Sequence, residues 1–412
     1  MKKAVAGLLV LCLLTGSVLA DGDTEIGIAV DTGAGEEECF AVGEIAVSAS
    51  GIEIPAPEAI LMEKETGQVL YEKNADTPRQ PASVTKVMTI LLIAEAIDSG
   101  TIRLDDVVTV SENARKMGGS QVYLEEGEQM TVDDLLKCIV VSSANDAAVA
   151  MAEYLAGTES AFAEKMNGRA KELGAENTHF TNCTGLENDP SHVTTARDLA
   201  LISREVLRHG WLRDYTTIWT DTIRDGAFGL SNTNKLIRYY EGATGLKTGY
   251  TGSAGYCLAA TAERENVEYV AVVMGSETSQ DRFRSASDLL NYGFANYTLT
   301  ELALPGWEPS VPVRLGKMHT AELETEALGA KLLVRKQEAS GIEVSWEQEE
   351  ELEAPIEPGQ VVGTVTVTAE NGVLAEYPIT VKERIGRVRW GETFLRVLSG
   401  IIGREQIRKT VD

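Results

Sequence analysis

The chain has 412 residues, of which 43% are hydrophobic and 24% charged, the composition of a soluble globular protein of two or three domains. Its formal net charge is −26. A surface that acidic repels phosphate backbones, which excludes a general role on DNA or RNA.

The first twenty residues read as an export signal. Lys2 and Lys3 form a charged start, Ala4 to Leu14 an apolar run, and Val18-Leu19-Ala20 a cleavage site. The apolar run is too short to span a bilayer comfortably. Residues 21–57 are rich in Gly, Ala and acidic side chains, densest at Glu36-Glu37-Glu38, and are expected to be a flexible leader. Four cysteines remain after cleavage (Cys39, Cys138, Cys183, Cys257), too few for a disulfide framework. Cys138 and Cys257 sit in apolar stretches and read as small core residues. The four histidines are scattered, so neither a metal nor a cofactor is implied, and His192 in its polar loop suits a structural hydrogen bond.

Ala59 to Tyr71 predicts a hairpin turning at Thr66-Gly67. Pro81 to Ile97 predicts a helix apolar on nearly all sides, hence central. Further helices are expected over Thr131–Val141 with Thr131 as cap, Asp146–Leu155 ended by Gly157, and Ala196–His209. Leu246–Gly249, Gly255–Ala262 and Val267–Gly275 read as strands of an antiparallel meander, turning near Glu265-Asn266, and Ser285–Tyr297 as a returning helix. Helices before and after a sheet give an α+β class, with a catalytic unit expected over 58–300. Composition shifts near Pro305. Residues 305–384 are expected to form a β-rich unit, with Val361–Thr368 and Val373–Val381 paired around Asn371-Gly372. The tail differs again: Lys382–Asp412 carries a net charge of +4 against −30 for the rest. Trp390, Phe394, Val397, Leu398, Ile401 and Ile402 recur on one helical face, so 385–412 predicts a C-terminal amphipathic helix lying on a membrane surface.

Three short motifs carry chemistry. Ser83 and Lys86 are one turn apart at the start of a helix, a serine beside an amine that becomes a base when burial and a nearby cation, Lys247, favour its neutral form. Ser143-Ala144-Asn145 lies between two helices, where the Ser143 hydroxyl can relay protons and the Asn145 amide can hold a substrate carbonyl. Lys247-Thr248-Gly249 lies on a strand: Lys247 and Thr248 can grip a carboxylate, and Gly249 lets substrate approach the backbone. The N–H groups of Ser83 and Tyr250 would form an oxyanion hole. Each motif alone is ordinary; the three in this order are a strong signal.

With Pro81-Ala82-Ser83-Val84-Thr85-Lys86, Ser143-Ala144-Asn145-Asp146-Ala147-Ala148, Gly245-Leu246-Lys247-Thr248-Gly249-Tyr250-Thr251 and Ala254-Gly255-Tyr256, the region from Pro57 to Tyr297 resembles the D-alanyl-D-alanine carboxypeptidases of the low-molecular-weight penicillin-binding proteins (peptidase family S11). The segment from Thr184-Gly185-Leu186 to Thr195-Ala196-Arg197-Asp198 is similar as well. The resemblance implies a transpeptidase-like fold of the penicillin-binding and β-lactamase type. It implies that Ser83 is acylated by the penultimate D-Ala of a peptidoglycan stem peptide, that β-lactams acylate the same serine, and that Arg282 helps bind the substrate carboxylate. It also implies a β-rich second domain and a tail holding the exported protein on the outer face of the cell membrane. Ala144 stands where Gly is common. A class A β-lactamase is the nearest alternative, but no Glu-x-x-x-Asn pattern occurs between Asp146 and Ser231. A non-catalytic wall-binding protein would usually lose one of these side chains.

Overall fold

A computed structural model describes residues 52–186, 189–370, 372–389 and 391, and the short strand Gly27–Ile28. Its centre is a five-stranded antiparallel sheet built from β1 (Glu58–Glu63), β2 (Val69–Lys73), β3 (Ala243–Thr251), β4 (Gly255–Arg264) and β5 (Val267–Ser276), in the order β2-β1-β5-β4-β3. Alternate residues of a strand face opposite sides, and here both sides are covered. Ile60, Met62, Ala259, Val270, Val272 and Met274 face one helical layer. Leu61, Leu258, Ala260, Ala271 and Val273 face the other, with Phe283, Ala286, Leu289 and Leu290. This double burial explains why the strands read as continuous apolar runs rather than alternating ones.

The first layer contains α1 (Lys86–Asp98), α2 (Val132–Val141), α3 (Asn145–Ala156), α4 (Glu159–Glu172) and α5 (Ala196–Val206). α6 (Ser279–Asn296) covers the opposite face. α1 is central, as its all-round apolar surface predicts. It is entered through a 3₁₀ turn, Ala82–Thr85. Side-chain caps hold the other starts: Thr131, Thr158, Thr195 and Thr278 each accept from the backbone N–H three residues on. α3 ends at Gly157 with φ +80°.

The sequence reading differs from this at several points. α4 was not expected. α5 stops at Val206, short of His209. α6 begins at Ser279, six residues before the expected Ser285, because its first turn is polar and the apolar stripe starts only at Phe283. The leader is anchored before residue 58: Ile54 and Ala56 are buried in the second core, and Lys73 Nζ donates to their carbonyls at 2.7 and 2.9 Å.

Beyond α6, a six-stranded sheet runs in the order Glu343–Gln348, Val361–Ala369, Gly372–Val381, Thr320–Glu324, Ser310–Arg314, Leu352–Glu353. The hairpin expected from Val361 and Val373 is present; Asn371 lies outside the described residues. A separate core of Val311, Val313, Leu323, Val365, Ile379 and Val381 fills this unit. Ile385 belongs to that core. It bridges Ile356, and Arg387 bridges Gly316, so residues 385–389 continue the β-rich unit where the tail helix was expected to begin. The remainder of the expected helix, Trp390 and 392–412, lies outside the described residues.

Candidate active site

The site forms where the 3₁₀ turn Ala82–Thr85, the turn before α3 and the edge strand β3 meet. Glycine at 249 permits this approach. A Cβ on Gly249 would lie 2.8 Å from Pro81 O and 3.0 Å from Ser83 N, so only glycine lets β3 lie against the serine turn.

Ser83 is half-buried in that turn, and Lys86 is the first residue of α1. Lys86 Nζ lies 3.0 Å from Ser83 Oγ, 2.6 Å from Asn145 Oδ1 and 3.1 Å from the Thr184 carbonyl. Lys86 is fully buried, and burial pulls its pKa down to about 7 against an upward pull from Cys183 and Asp146. Burial is the largest cause of this shift. The neutral amine has two N–H donors and one lone pair. Asn145 Oδ1 and the Thr184 carbonyl can only accept, so they take the two protons. The lone pair is then left facing the Ser83 hydroxyl.

Asn145 opens α3. Its N–H donates to the Ser120 carbonyl (2.7 Å), and its Nδ2 donates to the Gly118 carbonyl (2.7 Å). Its side chain was expected to hold a substrate carbonyl. Here the oxygen is occupied by Lys86 and one amide proton by Gly118, which leaves the second amide proton for a ligand. Ser143, two residues earlier, has φ +61°. Its hydroxyl oxygen is buried without a hydrogen-bond partner among the described residues. Asp146 is buried and anchors the covering loop by accepting from Val122 N and Leu124 N. Burial raises its pKa, against these backbone donors.

On β3, Lys247 is buried, with Nζ 3.2 Å from the Thr248 carbonyl. Thr248 Oγ1 donates to Thr233 Oγ1 at 2.6 Å. Tyr250 is 50% exposed and stacks on Tyr256 with centroids 4.2 Å apart. Arg282, expected at the substrate carboxylate, is buried against Tyr256 and Phe283. Its Nη1 donates to the Gly249 carbonyl at 3.1 Å. In this conformation it holds the strand that carries the motif.

Thus Ser83, Lys86 and Asn145 are in direct contact, Gly249 abuts Ser83, and Arg282 grips Gly249. Thr233 and the Gly118 and Ser120 carbonyls were not foreseen. Two of the three are backbone groups, which any residue type supplies.

A serine hydroxyl, a buried lysine amine and an asparagine amide thus converge beside strand β3. The D-alanyl-D-alanine carboxypeptidase family (peptidase S11) matches residues 44–278, and the C-terminal domain of penicillin-binding protein 5 matches residues 308–387. The chain is 41% identical over 349 residues to D-alanyl-D-alanine carboxypeptidase DacF of Bacillus subtilis, spanning 84% of this chain and 89% of that protein. It is 33% identical to DacC of Escherichia coli, over 81% of this chain and 86% of that one. Penicillin-binding protein 5 of Haemophilus influenzae superposes with a TM-score of 0.74 at 30% identity, covering 82% of this chain and 100% of that one. The ampicillin-bound penicillin-binding protein D2 of Listeria monocytogenes superposes with a TM-score of 0.55 at 33% identity, covering 59% and 99%. The chain belongs to the D-alanyl-D-alanine carboxypeptidase family of serine peptidases.

Proposed function

We propose that this protein is a serine-type D-Ala-D-Ala carboxypeptidase that removes the terminal D-alanine from peptidoglycan stem pentapeptides. Ser83 Oγ attacks the carbonyl of the penultimate D-Ala and passes its proton to Lys86 Nζ. The Ser83 and Tyr250 N–H groups meet the oxyanion, while Lys247 and Thr248 meet the terminal carboxylate on a strand braced by Arg282. Asn145 steadies the peptide. The C–N bond breaks, terminal D-Ala leaves with a proton relayed through Ser143, and water then hydrolyses the acyl-Ser83 ester. A β-lactam carbonyl is attacked in the same way. The observation that carries this reading is the buried Lys86 amine 3.0 Å from Ser83 Oγ, with its other two neighbours both acceptors. A class A β-lactamase is disfavoured because no Glu-x-x-x-Asn pattern, the source of the glutamate that activates its deacylating water, occurs between Asp146 and Ser231. Incubation with a stem pentapeptide should yield the tetrapeptide and free D-Ala by mass spectrometry. An unchanged pentapeptide, in a preparation that does take up penicillin, overturns the assignment.

The same reading places the protein outside the cytoplasmic membrane. Residues 1–20 act as a removed signal, 58–300 carry the chemistry, 305–384 form the β-rich unit, and the tail beyond it lies on the outer membrane face. Support comes from the basic, one-sided apolar pattern of Trp390 to Ile402. Among the described residues no helix is long and apolar enough to cross a membrane. Ile385 is buried, so a chain cut near Lys382 loses part of its own core. Ended after Arg389 instead, the protein should leave sedimented anionic vesicles and keep its activity on soluble peptide. Undiminished vesicle binding by that truncation sinks the tail as anchor.

A further inference from the structure

The 3₁₀ turn that carries Ser83 contains a strained peptide. Ala82 has φ +49°, a conformation that residues with a Cβ rarely adopt. Such a geometry persists only where its surroundings leave it no alternative. Here the surroundings act on one atom, the Ala82 carbonyl oxygen. Gly185 packs so closely on it that a Cβ there would lie 1.9 Å away. Thr85 Oγ1 bonds it at 2.8 Å.

Thr85 Oγ1 also lies 2.8 Å from Nε2 of His192, a buried ring 107 residues further along the chain. The protons in this chain of contacts are fixed by elimination. The Thr181 backbone N–H can only donate, and it donates to His192 Nδ1 at 3.0 Å. Nδ1 is therefore the acceptor, and the ring proton is on Nε2, which donates to Thr85 Oγ1. The Thr85 hydroxyl proton is then directed to Ala82 O, which can only accept. Burial holds the ring neutral, with a pKa near 4; Asp189 opposes that shift and His179 adds to it.

The peptide between Ala82 and Ser83 is a rigid plane, in which the carbonyl of Ala82 and the N–H of Ser83 point in opposite directions. Whatever fixes that oxygen also aims that N–H. We infer that His192 is a positioning residue for catalysis: through Thr85 Oγ1 it locks the Ala82–Ser83 peptide so that the Ser83 N–H is aimed at the oxyanion. This rests on the reading of Ser83 as nucleophile. His192 touches neither substrate nor the reacting atoms, so its effect belongs to the transition state and not to substrate affinity.

The test separates those two. Acylation by a fluorescent penicillin gives an encounter constant and a first-order rate constant, and release of D-Ala from pentapeptide gives KM and kcat. His192→Phe and Thr85→Val each remove the bond from one side. Both should lower the acylation rate constant and kcat by about tenfold to a hundredfold, part of the roughly hundred- to thousandfold cost of losing an oxyanion donor outright. KM and the encounter constant should stay within about twofold. The double variant should be no slower than the slower single one, because both break one chain. His192→Gln, whose amide N–H reaches the same hydroxyl, should recover most of the rate. Wild-type rates in both single variants overturn the inference, as do additive losses, a loss confined to KM, or a His192→Gln variant as slow as His192→Phe. Should His192→Phe fail to fold, Thr85→Val decides alone. Peptide mapping of the labelled wild type distinguishes failure of the underlying reading: label absent from Ser83 removes the nucleophile itself, whereas label at Ser83 with unaffected variants removes only His192.

Discussion

Replacing Lys86 by arginine should slow acylation of Ser83 by at least about a hundredfold, the usual scale for a positioned base. A guanidinium keeps its proton at any ordinary pH, so it preserves the charge of a protonated lysine but cannot accept a proton from serine. The position is also sterically closed. Nζ already lies within 3.1 Å of Ser83 Oγ, Asn145 Oδ1 and the Thr184 carbonyl, and Lys86 is fully buried. The wild-type protein should show the complementary pH dependence. Lys86 has a pKa lowered to about 7, so the amine is protonated and inactive below that pH and neutral above it. The acylation rate constant should therefore rise with pH through about 7 and then level off. A profile flat from pH 5 to 9, or near-normal acylation by Lys86→Arg, would show that another group takes the proton.

The Ser83–Lys86 pair was legible because its chemistry is local: three residues apart on a helical turn is contact, whatever the rest of the chain does. Gly249 was legible because glycine is the residue that permits a backbone to approach. The surroundings of Lys86 were only half legible. Burial followed from the apolar run around α1, but the two acceptors that orient the amine come from Asn145 and a peptide carbonyl at Thr184. The second has no signature in residue type. Arg282 was singled out for a substrate carboxylate by its distance along the chain from Lys247, whereas its bond to the Gly249 carbonyl could be seen only in the folded chain. α4 escaped for a different reason. Its buried positions, Phe162, Ala163, Met166 and Ala170, are half alanine, and Gly168 interrupts the pattern, so its apolar stripe is faint. His192 was read as structural from its polar loop; its route to Ala82 O through Thr85 needs three segments to converge.

Ser83→Ala should abolish both D-Ala release and covalent penicillin labelling, a fall in kcat of at least about a thousandfold. The substitution removes one half-buried hydroxyl whose described side-chain bond is to Lys86 Nζ, and Nζ keeps Asn145 Oδ1 and the Thr184 carbonyl. The turn itself is held by the Ala82 carbonyl, Thr85 and the Pro81–Val84 backbone bond, none of which involves Ser83 Oγ. The melting temperature should therefore change little, and penicillin should still bind reversibly because β3 and its Lys247-Thr248-Gly249 edge are untouched. Loss of label with loss of folding would say nothing specific about the hydroxyl, so the thermal measurement belongs with the kinetic one. The wild type also separates an enzyme from a wall-binding protein that merely keeps the fold: an enzyme takes the label at Ser83 and also turns over pentapeptide, whereas a binding protein retains the peptide unchanged. Undiminished release of D-Ala by Ser83→Ala removes Ser83 as nucleophile, and with it the acyl-enzyme route.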